Sequence, residues 1–135
     1  MEKELQQKIL TYRLLEDRLR ELLKQREFIM NKMLELQATK DSIDDIKNSE
    51  SMIFPIGSEA HAYGKIINKN KLIVEVGAGI CLEKSFEEAK DILSKRIEEM
   101  QNVLTNLQRD VEQNISALDH LRPEINSSQE YSQAD

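Results

Sequence analysis

The chain has 135 residues, a formal net charge of −6, 33% charged residues, 4% aromatics and no tryptophan. That length allows one domain, but segments rich in Leu, Glu, Lys, Gln and Arg have the profile of long helices rather than of a compact core. The acidic balance argues against a nucleic-acid partner, because nothing in the chain makes the basic stripe that phosphate neutralisation requires.

Residues 1–48 predict a helix, running from Glu2 to about Lys47. With Leu5 at the first heptad position, the seam reads Leu5, Lys8, Tyr12, Leu15, Leu19, Leu22, Arg26, Ile29, Met33, Leu36, Lys40 and Ile43, of which nine of twelve are apolar. Ile9, Leu23, Met30 and Leu34 widen the stripe beyond a strict seam. Glu16 with Arg20 and Glu21 with Lys24 have helix-surface spacing and form a solvated face. Asp41, Asp44, Asp45, Asn48 and Ser49 weaken helix propensity and end the element.

The stretch 49–84 breaks this pattern. All four glycines (Gly57, Gly64, Gly77 and Gly79) and Pro55 lie here, and residues so costly in helix interiors mark a small strand unit between two helices. Leu72, Val74 and Val76 alternate with Ile73 and Glu75, and an alternating run from Ala60 to Ile67 precedes them. Asn68, Lys69 and Asn70 separate the two runs and suit a turn, giving one hairpin. Met52 to Ile56 adds a strand before it, and Ile80 to Glu83 another after the turn at Gly77-Ala78-Gly79. Four short strands cannot enclose a core, and their open edges call for strands from other chains.

The second helix is placed at 85–122. It opens on Ser85-Phe86-Glu87-Glu88, a capping box. Phe86, Lys90, Leu93, Ile97, Met100, Leu104, Leu107, Val111, Asn114, Leu118, Leu121 and Ile125 keep heptad spacing, ten of them apolar. Asn114 on this seam suits either a register pin or an ordinary polar substitution. Pro123 disfavours helical geometry at Arg122, so the regular helix is expected to end near Leu121, with 123–135 a flexible tail. Helices of about 45 and 37 residues would extend about 68 and 56 Å, folding back antiparallel so that positions whose numbers sum to about 133 lie side by side. The fold class is therefore mainly α: a long antiparallel coiled-coil hairpin whose helices are joined by a small β unit of up to four short strands.

The remaining chemistry is sparse. Cys81 is the only cysteine, which suits a reducing compartment. MEKELQQKIL has no apolar leader core, and no run of about 18 apolar residues occurs, so a cytoplasmic location is expected. Gly77-Ala78-Gly79 begins like a dinucleotide fingerprint, but Leu82 stands where the third glycine belongs and no helix N-terminus follows at once. His61, His120 and Cys81 lack metal-ligand spacing, and the carboxylates lie on solvated coil faces rather than in a cleft. No cofactor, metal site or enzyme activity is expected.

Three segments carry a family resemblance: Phe54-Pro55-Ile56-Gly57; Ile66-Ile67-Asn68-Lys69-Asn70-Lys71-Leu72-Ile73-Val74-Glu75-Val76-Gly77-Ala78-Gly79; and Glu83-Lys84-Ser85-Phe86-Glu87-Glu88-Ala89. Set between two coiled-coil helices, they resemble the archaeal α-type subunit of prefoldin. The family often has a second glycine soon after its Pro-x-Gly, where this chain reads Ser58-Glu59-Ala60. The resemblance implies an ATP-independent chaperone subunit whose strands form two short β-hairpins and close an oligomeric β-barrel with β-type subunits, two α to four β. Six coiled coils would hang from that platform, their distal tips binding non-native polypeptides and passing them to a group II chaperonin.

On this reading the assembly residues are Phe54, Ile56, Ile66, Leu72, Val74, Val76 and Ile80. The tip residues are Leu5, Ile9, Leu10, Tyr12, Leu118, Leu121 and Ile125, with Leu10 and Ile125, off the seam or past Pro123, the most open. Such side chains cannot be fully covered by one partner helix, and fraying at a coil end costs little. A different role for the same fold is a coiled-coil scaffold or adaptor with one dedicated partner.

Overall fold

Two heptad seams interrupted once by glycines become, in the computed structural model, two helices with two small sheets between them. The structure describes residues 2–134, and the side chains of residues 2–129. In chain order the elements are α1 (Glu2–Asn48), β1 (Met52–Gly57), β2 (Ala60–Gly64), β3 (Lys71–Gly77), β4 (Ile80–Ser85) and α2 (Phe86–Ala134). The chain divides into two units, residues 1–31 with 101–135, and residues 32–100.

In the first unit Leu22, Leu107 and Val111 form a buried cluster, with Leu19, Leu23 and Ile29 packed against it. Lys8 pairs with Glu124 at 3.6 Å, and Arg122 donates to the Tyr12 hydroxyl. The numbers rise on α1 as they fall on α2, and each pair lies within one of the expected sum of 133. In the second unit Leu36, Ile43, Phe86, Ala89 and Leu93 are buried together, joined by the partly buried Ile46, Leu72, Val74, Ile97 and Met100. Lys47 with Glu87 and Asp44 with Lys90 keep the same antiparallel register there.

The seams are not evenly covered. On α1 the buried positions are Leu22, Leu36 and Ile43, every one a second apolar position of its heptad, while Leu5, Tyr12, Leu19, Arg26, Met33 and Lys40 are half-buried. The solvated face pairs differently from the spacing expected: Arg20 binds Asp17 at 3.0 Å rather than Glu16.

The strand pairing corrects the sequence reading. The hairpin expected between the Ala60–Ile67 run and β3 does not form; β1 pairs with β2 and β3 with β4, both antiparallel. The reversals occur at Ser58-Glu59 and Ala78-Gly79, each next to a register shift in the preceding strand; both Ala78 and Gly79 have positive φ, which matches the twist of the flanking strands, whereas in the first turn Glu59 alone does. Glu59 (φ 63°) and Ala78 (φ 51°) take left-handed geometry without being glycine, and Gly79 follows at 77°. The segment 65–70 is instead a tether. Asn70 donates its amide to the Asn68 side chain at 2.8 Å, and the Lys69 ammonium donates to the Ser49 carbonyl at 2.6 Å, just past the end of α1.

Half of the capping box is present at the start of α2. The Ser85 hydroxyl accepts from the Glu88 amide at 3.1 Å, whereas the Glu88 carboxylate turns to Lys84 at 3.8 Å. The expected stop near Leu121 is also corrected, because α2 continues through Pro123 to Ala134. Proline's fixed φ is itself helical, so the ring removes one main-chain hydrogen bond without reversing the chain. Arg122, the residue proline disfavours, is held by its bonds to Tyr12 and its ion pair with Asp119. The tail expected at 123–135 therefore reads as helix to Ala134; Asp135 and the side chains from Glu130 onward lie outside the described residues.

Candidate functional site

Two surfaces stand out, one in each unit. In the first, the chain ends of α1 and α2 lie together. Arg122 donates through Nε and a terminal nitrogen to the Tyr12 Oη, at 3.1 and 3.0 Å, with its guanidinium carbon 6.0 Å from the ring centroid. That hydrogen bond is the main reason Arg122 is held above its ordinary pKa, so it is a fixed cation. An open groove of about 350 Å³ runs beside this contact, between Ile9, Tyr12, Arg13, Glu16, Arg122 and Ile125.

The expected tip residues separate by exposure. Leu10 is 59% exposed, on the outer face of α1. Leu5, Ile9, Tyr12, Leu121 and Ile125 are half-buried along the seam, so Ile125 is less open than its place past Pro123 suggested. Leu118 is only 5% exposed and belongs to the packed seam rather than to an accessible surface. Leu14, 61% exposed and one turn from Leu10, completes an outer apolar pair that lies off the heptad seam. Its signal was available, since an i, i+4 apolar pair off the heptad line has no partner helix to face.

In the second unit the strands carry an inner and an outer face. Leu72 and Val74 turn inward against the buried cluster of the helices. Arg96 fastens this hairpin by donating to the Glu75 carbonyl. In the other sheet Phe54 is half-buried and its ring lies against Gly64, where an added Cβ would meet ring carbons at 2.9 and 3.0 Å. Ile66 is half-buried, and Ile56, Val76 and Ile80 are exposed.

The outer faces hold residues that alternation alone did not select. Ile53 stands opposite Tyr63 across β1 and β2, with Tyr63 88% exposed, and Ile73 is 74% exposed on β3. Period 2 says that Leu72 and Val74 share a face opposite Ile73. It does not say which face the chain's own helices cover. Each sheet has two strands, so every strand leaves one edge unpaired among the described residues.

His61, His120 and Cys81 are exposed and far apart in the fold's order of elements, and no group of three His, Cys, Asp or Glu that could hold a metal occurs among the described residues. No helix is long and apolar enough to cross a membrane.

Comparison with known proteins agrees with this architecture. The family model described as Prefoldin subunit matches residues 15–131. The chain is 33% identical over 100 residues to prefoldin subunit alpha 1 of Thermococcus kodakarensis, covering 72% of this chain and 68% of that one. It is 27% identical over 135 residues to prefoldin subunit alpha of Archaeoglobus fulgidus, covering 96% of each. Among solved structures, filamentous PFD from Methanocaldococcus jannaschii superposes with a TM-score of 0.73 at 19% identity, over 84% of this chain and 96% of that one, a likeness of fold.

Proposed function

This chain belongs to the prefoldin family of chaperone subunits, and from that premise we propose that it is the α-type subunit of an ATP-independent holdase. Its strands join those of β-type subunits, two α to four β, in an oligomeric β-barrel. Its distal coil ends bind non-native polypeptides in the cytoplasm, prevent their aggregation and pass them to a group II chaperonin.

The observation that carries the client-binding role is the exposed pair Leu10 and Leu14, beside the half-buried Leu5 and Ile9. Apolar area removed from water gains about 25 cal/mol per Å², so one such patch holds a client weakly. Several coils gripping one chain at once convert weak contacts into retention without tight binding at any of them. The outward Ile53, Tyr63 and Ile73, next to unpaired strand edges, support the assembly role, because partner strands would cover apolar area and satisfy main-chain groups together.

The test replaces Leu10 and Leu14 with serine in the full chain. Because both side chains are exposed, the native mass and helix content are expected to stay unchanged. Suppression of light scattering by guanidinium-denatured citrate synthase is expected to fall. Full protection by this variant would overturn the assignment of the distal ends as the holding surface.

A further inference from the structure

Asn114 is the one buried polar side chain in the seams among the described residues. It is 8% exposed, and its Oδ1 is buried with no hydrogen-bond partner. Such a group pays the desolvation of an amide oxygen without the bond that normally offsets it, and a native structure keeps few of them. It sits one heptad step from Val111, the last buried member of the cluster with Leu22 and Leu107.

Beyond this point the two helices are held lightly. Leu118, 5% exposed, is the only buried apolar residue on the distal side among the described side chains, while Leu5, Tyr12, Leu15 and Leu121 are half-buried. The cross-helix polar links there are the Tyr12–Arg122 bonds and the Lys8–Glu124 pair, all solvent-exposed and therefore weak and screened by salt. Pro123 removes one main-chain bond from α2 in the same region.

We propose that Asn114 is a release point in the coiled coil: its unpaired buried oxygen lowers the cost of parting α1 from α2 between that residue and the distal end. Parting lets water reach the amide, so the penalty of burying it is returned on opening. A leucine in its place would gain on closure instead. The half-buried Leu5, Tyr12, Leu15 and Leu121 then become available to a client in addition to Leu10 and Leu14. This inference deepens the holdase reading and rests on it for the use made of the opening, though not for the opening itself.

The experiment is amide hydrogen exchange on the full chain and on its Asn114→Leu and Asn114→Asp variants, with citrate synthase protection measured on the same samples. In Asn114→Leu, exchange across residues 2–18 and 115–126 is expected to slow about fivefold to a hundredfold, while residues 86–100 keep their rates. Asn114→Asp, which buries a charge, is expected to change the same peptides in the opposite direction. Client protection should fall in Asn114→Leu. Unchanged distal exchange in both variants would overturn the proposal. So would faster exchange or a mixture of assemblies in Asn114→Leu, because the amide would then be a register pin. Slower exchange in Asn114→Leu, with full client protection by the Leu10→Ser, Leu14→Ser variant, would keep the release point and remove the holdase assignment of the tip. Loss of protection in that serine variant with no exchange response to Asn114→Leu would do the reverse.

Discussion

Replacing Leu22 with alanine measures how much of the distal coil rests on its seam. Leu22 is 2% exposed in the cluster with Leu107 and Val111. The change removes three carbons, which at about 0.8 kcal/mol each is a transfer term of about 2.4 kcal/mol. A residual cavity adds to this, but a layer of two helices can close in more readily than a deep core, which places the total near 3 kcal/mol, toward the lower end of the range for buried leucines. The same substitution at Leu14, 61% exposed, gives up only about two fifths of the transfer term, about 1 kcal/mol. Alanine's better helix propensity returns a few tenths of a kcal/mol at both sites. The assay is urea unfolding of each variant followed by circular dichroism at 222 nm, at one fixed protomer concentration because assembly contributes to apparent stability. Equal losses at the two positions, or a larger loss at Leu14, would refute the assignment of Leu22 to the seam and Leu14 to the outer face.

Other perturbations test particular joints. Gly64→Ala drives a methyl group into the Phe54 ring, whose nearest carbon would be 2.9 Å away, and is expected to cost about 1–3 kcal/mol. Adding Phe54→Ala should make that cost largely disappear in a double-mutant cycle. Ser85→Ala removes the hydroxyl that caps α2 through the Glu88 amide, with an expected loss of about 1 kcal/mol in the same urea assay. Lys90 is held above its ordinary pKa, chiefly by its hydrogen bond to Asp44. Because the folded state binds this proton more tightly than the unfolded chain does, the stabilisation is complete below the ordinary lysine value of 10.5 and is lost as the pH rises through the higher folded value. The stability gap between the wild type and Lys90→Met should therefore stay constant from pH 7 to 9 and narrow in strong alkali; a gap that closes below pH 9 would contradict the pairing.

What the sequence by itself determined is the part written in local periodicity and local chemistry. Heptads on both flanks specify two helices in antiparallel register, and the pairing of Tyr12 with Arg122 and of Asp44 with Lys90 falls where that register puts it. Glycines at 57, 64, 77 and 79 mark the strand unit, and Ser85 marks the start of α2. What only tertiary structure decided is which of two equivalent local options each element takes. The run after Ala60 could turn at Asn68 or fold back on β1, and the Glu59 turn, together with the Lys69 tether to Ser49, selects the second. Pro123 could end the helix or sit within it at the loss of one main-chain bond, and α2 takes the second course, running on to Ala134. The candidate surfaces were legible to the same extent. Alternation named Leu72 and Val74 but not their burial under the helices, and so left Ile53, Tyr63 and Ile73 out of view. A repeat records which side chains share a face; which face stays open is decided by what packs across it, and that information lies in residues distant along the chain.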